Sequence, residues 1–329
     1  MGGSSIGVCL LGCGRMGTHH AHTLRGFEGV RIVAAVDSDI RKTRKLAEEY
    51  DIKLVTTHYE EILQRDDIDA IIVSLPSHIR VEMVVQALNK GKHVFVEKPM
   101  ALTLSDADKM ISASNASGAI LVSGQVMRFA KIHRHLRAMI EKNELGEIQQ
   151  VIRWGVYLIE DPYVPWWNDP AMRDGFVIHH HGSHSIDLII WLLDTRISSV
   201  FAVCKHPPGH LYEDTASILM RSVDGVPISI HESFSSRRRH SGLLIIGSEA
   251  TAECAFPSKP NQKLYVDGEA VLDVDETKWF NLQISSFLDS IEQGMEPKEA
   301  GAESVRHGIA VIEAAIESCK SGRTVKLAT

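Results

Sequence analysis

Four histidines lie within six positions of the segment VIHHHGSHSID, residues 177–187: His179, His180, His181 and His184. A neutral imidazole accepts a proton readily near neutral pH, and it is also a common ligand of zinc. His180 and His184 are four residues apart, which puts both side chains on one face of a helix. We predict that these two act together, whereas the adjacent His179 and His181 point in other directions and have structural roles.

Three interpretations of the histidine pair remain open at this stage. In the first, His184 is a general base that accepts the proton of an alcohol, and His180 orients the substrate or shares the proton. In the second, both residues bind zinc, although no third ligand stands at a typical spacing. In the third, the histidines cap a helix or are satisfied inside the protein. The first is favoured, so no metal is expected.

A glycine-rich run follows the first apolar stretch of the chain: Gly12-Cys13-Gly14-Arg15-Met16-Gly17. It also precedes a helical stretch, and the next apolar run ends at Asp37. In this context the spacing is typical of a dinucleotide site, where the pyrophosphate lies at the N-terminus of the helix. The Asp37 carboxylate would accept hydrogen bonds from ribose hydroxyls and repel a 2′-phosphate. We therefore expect NAD rather than NADP, although Arg41 weakens the preference; Ser38 and Arg41 are expected at the same site.

Polar residues follow three later apolar runs, at the edge of the sheet where ligands bind in such domains. The cofactor contacts expected there are Ser74, Leu75, Pro76, His78, Glu97, Lys98 and Gln125. Lys98 is the most informative, because lysine is rarely buried and its ammonium would stabilise a developing alkoxide. Pro99, which follows it, favours a rigid turn that is compatible with a cis peptide bond.

Five motifs occur in order along the chain: GCGRMGTHHA, AAVD, SLPSH, GKHVFVEKP and GSHSIDLIIWLLD. In this combination the sequence resembles the Gfo/Idh/MocA family of glucose–fructose oxidoreductases and inositol dehydrogenases, over essentially the whole chain. The resemblance implies reversible hydride transfer between NAD(P) and a C–OH group of a sugar or cyclitol. It also implies that Lys98 and His184 are active-site residues, and that a large open sheet of the second domain joins subunits into a homodimer or homotetramer, with the substrate held where the domains meet.

One position departs from the family pattern. Family members often read D-x-x-x-H, and here the earlier position is His180. Some branches resemble H-H-x-x-H, one of which acts on ring-form semialdehydes. We therefore expect a sugar, cyclitol or sugar derivative as substrate and keep three alternatives. These are a dehydrogenase of a ring-form hemiacetal semialdehyde, a glycosidase-like or epimerase-like enzyme that uses bound NAD transiently, and a non-catalytic NAD-binding regulator.

The substrate pocket is expected to include residues outside these motifs. Trp167 and Asn168 lie in the loop-like segment DPYVPWWND, where an aromatic face would pack on sugar C–H groups and an amide would bind a hydroxyl. The same tryptophans could equally anchor the loop in a subunit interface. Arg128, after the last apolar run of the first domain, is a further candidate. The expected substrate contacts are therefore Lys98, Arg128, Trp167, Asn168, His180 and His184.

The elements that must position these residues show two different patterns of hydrophobicity along the chain. Residues 1–125 alternate between Val- and Ile-rich runs and amphipathic helical stretches, which predicts a doubly wound α/β domain with a parallel sheet. Residues 126–329 place several strand-like runs in succession, most of them without a helix in between. This pattern predicts an α+β domain with a large, mostly antiparallel sheet. Two domains also agree with the length of 329 residues.

Composition excludes several function classes. The chain has 35 basic and 42 acidic residues, for a net charge of −7, and its dense basic run is Arg237-Arg238-Arg239. Such a chain is a poor candidate for binding nucleic acid. No apolar run is long enough to cross a bilayer, and the start MGGSS, which reads as a disordered leader, does not resemble a secretory signal. Five scattered cysteines without a C-x-x-C pair favour a reducing cytoplasm and no disulfide framework.

Overall fold

The computed structural model describes residues 5–159, 165–170, 175–207, 212–256, 261–275, 278–297 and 299–328. The chain divides into two compact units. The first unit runs to Gln125 and also includes Phe280–Arg306. The second unit comprises Val126–Trp279 and His307–Thr329. The second domain predicted from sequence, 126–329, is therefore not one continuous segment.

The first unit contains a parallel sheet whose strands are buried on both faces. Its strands are β1 (Ile6–Leu11), β2 (Val30–Val36), β3 (Leu54–Thr56), β4 (Ala70–Val73), β5 (His93–Val96) and β6 (Leu121–Ser123). The strand order is β3-β2-β1-β4-β5-β6, so the order reverses between β1 and β4. This is the Rossmann arrangement, in which ligands bind beside the carboxyl ends of the strands at the reversal. The predicted fold of this part is confirmed.

Helices alternate with the strands of the first unit, and capping residues mark the ends of two of them. They are α1 (Arg15–Leu24), α2 (Ile40–Tyr50), α3 (Tyr59–Leu63), α4 (Val81–Asn89) and α5 (Leu104–Ser117). The Asp39 side chain accepts a hydrogen bond from the backbone N–H of Arg41 and so caps α2. Thr103 caps α5 in the same way, and Gly118, with φ of +72°, ends that helix.

The second unit is built on a large sheet. Its first elements are α6 (Lys131–Glu141), β7 (Ile148–Leu158), α7 (Ser183–Leu193), β8 (Ile197–Lys205), β9 (Thr215–Ser222), β10 (Pro227–Ser233), β11 (Ser235–Gly247), β12 (Thr251–Ala255), β13 (Asn261–Val266) and β14 (Glu269–Asp275). With β15 (Val325–Lys326), the strand order is β14-β13-β12-β11-β7-β10-β9-β8-β15. The β7–β10 pair is parallel, and the neighbouring pairs are antiparallel. The predicted mostly antiparallel sheet is confirmed.

Two long helices come late in the chain, α8 (Trp279–Gln293) and α9 (Ala302–Ser321). From Phe280 onward α8 belongs to the first unit, where the Phe287 ring lies 5.8 Å from the Phe95 ring of β5. Arg306, in the first turns of α9, forms two hydrogen bonds to Asp108 of α5, at 2.5 and 2.8 Å. Apolar packing and this ion pair explain why residues 280–306 join a unit that is distant in sequence.

The cysteines differ from the sequence expectation. Cys204 on β8 and Cys319 on α9 form a disulfide, with their Cα atoms 5.8 Å apart. Spacing along the chain did not reveal this pair, because the partners are brought together by packing of α9 on the sheet. Cys9, Cys13 and Cys254 are buried thiols. The predicted cytoplasmic location therefore loses the support that it drew from unpaired cysteines. Among the described helices, none combines the length and the apolar character that a bilayer crossing requires.

Candidate functional site

The glycine turn after β1 depends on glycine at two positions. Gly12 has φ of +98°, and a Cβ atom there would lie 2.8 Å from the carbonyl oxygen of Ser74 at the end of β4. A Cβ atom at Gly17 would overlap the carbonyl oxygen of Gly12. Both positions therefore require glycine for the fold itself, since the turn and the close approach of α1 leave no room for a side chain.

Gly14 is different, because no atom lies within 4 Å of the place where its Cβ would be. It is the N-cap of α1, and no side chain caps the first turn of this helix. Arg15 and Met16 are the first residues of α1, exposed and half-buried respectively. Uncapped N–H groups beside open space are suited to a phosphate, so this turn fits the pyrophosphate of NAD.

Asp37 lies where the resemblance requires it, at the end of β2. One carboxylate oxygen accepts a hydrogen bond from the N–H of Cys13 and the other from the N–H of Asp39, both at 2.9 Å. Each oxygen keeps a further lone pair for a ribose hydroxyl. The carboxylate is thus fixed in place beside the glycine turn, and the residues fit the adenosine side of NAD.

The guanidinium of Arg41 is paired with a neighbouring carboxylate. Its guanidinium forms a two-point hydrogen bond with Asp39, at 2.9 Å for both contacts, and its side chain is exposed. This exposed pairing with Asp39 competes with a cofactor contact, and the contact of Arg41 with the cofactor stays a prediction. Ser38 is exposed between Asp37 and Asp39, and its contact with a cofactor stays a prediction.

The loop after β4 lies beside the glycine turn. The Ser74 hydroxyl is buried, and its oxygen has no hydrogen-bond partner among the described residues. The same holds for the side-chain oxygen of Gln125, which follows β6. Buried polar atoms of this kind normally have a partner, so both are consistent with a bound ligand. Leu75, Pro76 and His78 are half-buried in the same loop.

The Glu97 carboxylate is engaged inside the first unit. It accepts a hydrogen bond from the ring of His20 on α1 at 2.7 Å, and His20 is fully buried. Arg80, also buried, donates to the backbone carbonyl of Glu97 and to the Ser77 hydroxyl. Burial raises the pKa of Glu97, but the His20 hydrogen bond and the charges of His20, Lys98 and Arg80 lower it further, so the net shift is downward.

The Glu97 side chain is therefore bound by protein groups. Its contact with a cofactor stays a prediction. Sequence reasoning missed His20 and Arg80. The available signals were the second histidine of GTHH and an arginine within the apolar α4 region.

Lys98 is half-buried directly after β5, the neighbour of β4, and its peptide bond to Pro99 is cis. Burial lowers the pKa of Lys98 to about 8, and the charges of Arg80 and Arg15 act in the same direction. The charge of Glu97 opposes them. A lysine in this state is charged at neutral pH yet donates a proton more readily than an exposed lysine.

The glycine geometry leads to two contrasting expectations. Gly14→Val should leave the melting temperature nearly unchanged and weaken NAD binding about tenfold or more, equivalent to about 1.4 kcal/mol. Gly17→Ala should lower the free energy of unfolding by about 1–3 kcal/mol, because the new methyl group overlaps the Gly12 carbonyl. Thermal unfolding and NAD titration by calorimetry measure both effects. Undiminished NAD affinity in folded Gly14→Val would contradict the assigned pyrophosphate position.

The histidine segment of the second unit begins with an unusual turn. Ile178–Gly182 form a π-helical turn that runs into α7. Such turns are rare, and their i→i+5 hydrogen bonds change the angle between successive side chains relative to an α-helix. His179 is buried within it, and burial lowers the pKa of His179 to about 4, so this residue is neutral. A structural role for His179 agrees with this environment.

The rings of His180, His181 and His184 form a histidine cluster. His180 and His181 stack, with ring centroids 5.5 Å apart and planes within 6°, and the ring of His184 lies 6.1 Å from that of His181. The prediction that His181 points away is wrong, because the π turn places neighbouring rings side by side. Among the described residues, no group of three histidine, cysteine or acidic side chains is arranged to hold a metal ion.

Two of the residues expected to contact substrate, Arg128 and Trp167, are buried in the second unit. Arg128 is buried and forms a two-point ion pair with Asp187 of α7, at 2.8 and 2.5 Å. Trp167 is buried, and its ring packs edge-on against His180 at 4.6 Å. Both side chains thus have partners within the second unit, and their contact with a substrate stays a prediction. Asn168 ends a single 3₁₀ turn, Pro165–Asn168, and its side chain lies outside what the structure describes.

A buried carboxylate beneath the cluster was missed from sequence. Glu232 of β10 is 1% exposed, and it accepts a 2.5 Å hydrogen bond from the hydroxyl of Ser185 on α7. Its second oxygen lies 3.8 Å from the ring of His181. The sequence does contain a signal that Glu232 is buried. Side chains alternate between the two faces of a strand, and Glu232 lies on the same face as the inward-facing Ile228 and Ile230.

Comparison with known proteins places this geometry among oxidoreductases. The chain is similar to "1,5-anhydro-D-fructose reductase" of Ensifer adhaerens, at 27% identity over 87% of this chain and 89% of that protein. It is also similar to "Inositol 2-dehydrogenase" of Salmonella paratyphi B, at 24% identity over 96% and 94%. The solved structure of "GenD2 from gentamicin A biosynthesis in complex with NAD" shares the fold, with a TM-score of 0.89, 22% identity and coverage of 99% and 97%.

Family models match both parts of the chain. The model described as "Oxidoreductase family, NAD-binding Rossmann fold" matches residues 6–125. The model described as "GFO/IDH/MocA C-terminal domain" matches residues 133–253. Together they span well over half of the chain and include both the glycine turn and the histidine cluster. The chain therefore belongs to the GFO/IDH/MocA family of oxidoreductases with an NAD-binding Rossmann fold.

Proposed function

We propose that the chain is an NAD-dependent dehydrogenase that transfers a hydride between a C–OH group of a sugar, cyclitol or sugar derivative and the nicotinamide. The observation that carries the proposal is the combination, in one unit, of an open dinucleotide turn and a half-buried, charged lysine after a neighbouring strand. The similar proteins named as a reductase of an anhydrosugar and an inositol dehydrogenase support this substrate class. The alternatives kept from sequence are not favoured by these relatives.

The chain's own residues supply acid–base chemistry and electrostatics. When bound, NAD supplies the nicotinamide that takes up the hydride. A ring nitrogen of His184 accepts the hydroxyl proton as the C–H bond breaks, and the Lys98 ammonium stabilises the alkoxide character of the oxygen. His180, whose ring packs against Trp167 and Phe176, orients the substrate from a fixed position. Gly12–Gly17 and Asp37 hold the pyrophosphate and the ribose.

The experiment that tests the proposal is a panel of sugars, cyclitols and anhydrosugars, assayed with NAD and NADP for the appearance of the reduced cofactor. We expect turnover with NAD on at least one member. Product formed without net cofactor reduction would instead show transient use of bound NAD. Tight NAD binding with no product from any member would favour the regulator.

The lowered pKa of Lys98 leads to an expected pH dependence. The ammonium is the active form, so kcat/KM should fall as the pH rises through about 8. An unperturbed lysine would keep its proton to about pH 10. Lys98→Arg retains a charge that does not titrate, and its residual activity should lack this basic limb. A wild-type profile that stays flat to about pH 10 would count against the assignment.

We also propose that the open face of the second sheet joins copies of this chain. Cross-strand neighbours on that face are Phe201, Leu219, Ser229, Ile152 and Leu244, a largely apolar row with one serine, whereas the opposite face is buried. Leu219 is 52% exposed, which is unusual for a large apolar side chain in the middle of a sheet. A homodimer or homotetramer should be measurable by light scattering, and Leu219→Lys should dissociate it. A wild-type monomer at assay concentration would refute the proposal.

A further inference from the structure

The Glu232 carboxylate is the feature of the second unit that the proposed chemistry leaves unused. It sits on the covered face of the sheet, in phase with apolar residues, and is almost completely buried. Burying a carboxylate is costly unless polar groups compensate it. A carboxylate kept in such a place next to ionisable rings is a candidate for a functional role.

The two oxygens of Glu232 have different surroundings. Oε1 accepts the hydrogen bond from Ser185 at 2.5 Å. Oε2 accepts no hydrogen bond from the described residues, and it faces Nδ1 of His181 at 3.8 Å. A Cβ atom at Gly155 of β7 would lie only 2.5 Å from Oε2, so the neighbouring strand accommodates the carboxylate by carrying glycine. The free oxygen is therefore directed toward the histidine cluster.

The other charged and titratable groups around this pair are few. Arg153 of β7 is buried, and its guanidinium donates to the backbone carbonyls of Trp154 and Gly242, the latter at 2.8 Å. No ion pair joins Arg153 to Glu232 within the described residues, although its charge acts on the carboxylate. The Tyr157 ring also lies beside His181, with the two ring centroids 4.7 Å apart.

Arg239 of β11 lies over the Tyr157 ring, 5.8 Å from its centroid. Among the described residues, the rings of His180, His184 and Phe234 also lie beside His181. Glu232 is a buried anion within 4 Å of the cluster.

We propose that Glu232 is a positioning residue that acts through His181: its carboxylate orients the His181 ring and stabilises the positive charge that the histidine cluster acquires when a substrate proton reaches His184. This inference rests on the proposed function. In that step the substrate O–H bond breaks and its proton forms an N–H bond on His184. The C–H bond also breaks, a C=O bond forms, and the hydride would be taken up by the nicotinamide of bound NAD. The negative charge of Glu232 offsets the imidazolium charge without accepting the proton.

The ionisation of Glu232 is consistent with this role. Burial raises the pKa of Glu232 to about 6, while Arg153 and the Ser185 hydrogen bond lower it. The carboxylate is therefore anionic at neutral pH and becomes neutral in the range where histidine gains its proton. Support for the cluster is present above that range and is lost as the pH falls through it.

The test is the pKa of His181 in the full chain without substrate, followed by NMR of ring-labelled histidine and assigned with His181→Gln. Glu232→Gln, which keeps the shape and removes the charge, should lower this pKa by about one unit, as loss of a nearby anion does. Glu232→Asp should retain most of the wild-type value. Glu269→Gln, on the exposed strand β14, is the matched control and should leave it unchanged.

Each outcome bears on the inference. An unchanged His181 pKa in folded Glu232→Gln overturns it. If that variant does not fold, Ser185→Ala should lower the His181 pKa by a smaller amount, because loss of the hydroxyl makes Glu232 easier to protonate; no change there also overturns it. Since the titration needs no substrate, failure of the dehydrogenase proposal, seen as absence of turnover, is distinguishable from failure of the Glu232–His181 coupling.

Discussion

Replacing His184 with asparagine is expected to lower kcat by about two to four powers of ten, the usual contribution of a positioned general base. Asparagine keeps a similar size and polarity but accepts no proton at neutral pH. Because His184 is assigned to the substrate proton and not to the cofactor, NAD affinity should stay at the wild-type value. The measurements are steady-state kinetics on the substrate found in the panel and calorimetric titration with NAD.

His135→Asn is the matched control, because His135 is exposed on α6 of the same unit. It should leave both kcat and NAD affinity unchanged. Wild-type kcat in His184→Asn would reject the assignment of the base. If His184→Asn kept the wild-type kcat and His181→Gln lost most of it, the general base would instead be His181, whose ring lies 6.1 Å from that of His184.

Asp187→Ala is expected to lower the free energy of unfolding by about 3–5 kcal/mol, because it removes the carboxylate that pairs at two points with the buried guanidinium of Arg128. The side chains of the pair are 2% and 5% exposed, so water cannot replace the lost partner. Urea denaturation of the purified variant measures the effect. The double replacement Arg128→Met with Asp187→Leu should recover much of the loss, since no charge is then stranded.

The surface pair Arg137–Glu141 provides the control for that experiment. It has the same chemistry at 2.7 Å, but its side chains are 23% and 58% exposed. Glu141→Gln should therefore cost less than about 1 kcal/mol. If Asp187→Ala instead left stability unchanged and raised KM, Arg128 would be a substrate contact after all, as its position in the sequence had suggested.

The first unit was predictable because its information is local. The turn Gly12–Gly17, Asp37 and Lys98 each follow a continuous apolar strand, and the ends of adjacent parallel strands must meet at one edge. Right-handed crossovers of strand, helix and strand then set the face of the sheet on which each helix lies. The buried partners were not predictable in this way, since nothing in the spacing shows that His20 and Glu97, 77 residues apart, share a hydrogen bond.

The histidine segment does not follow the side-chain directions that α-helical spacing predicts. The rule that neighbouring helical side chains diverge assumes an α-helix, and the π turn Ile178–Gly182 breaks that assumption. The contact between His180 and His181 is a consequence. Similarly, an arginine after a strand end suggested a ligand contact, but Arg128 finds its anion on α7.

By itself the sequence determined three things. These are the two fold classes, α/β followed by α+β, the dinucleotide turn, and the candidate residues Lys98 and His184. These depend on hydrophobic period, glycine spacing and residue type, which are properties of short segments. Only the tertiary structure decided that residues 280–306 complete the first unit, that Arg128 and Trp167 are buried, and that Glu232 faces the cluster. The physical reason is that burial and ionisation depend on which distant segments pack together, and that packing is set by the whole fold rather than by any one stretch of sequence.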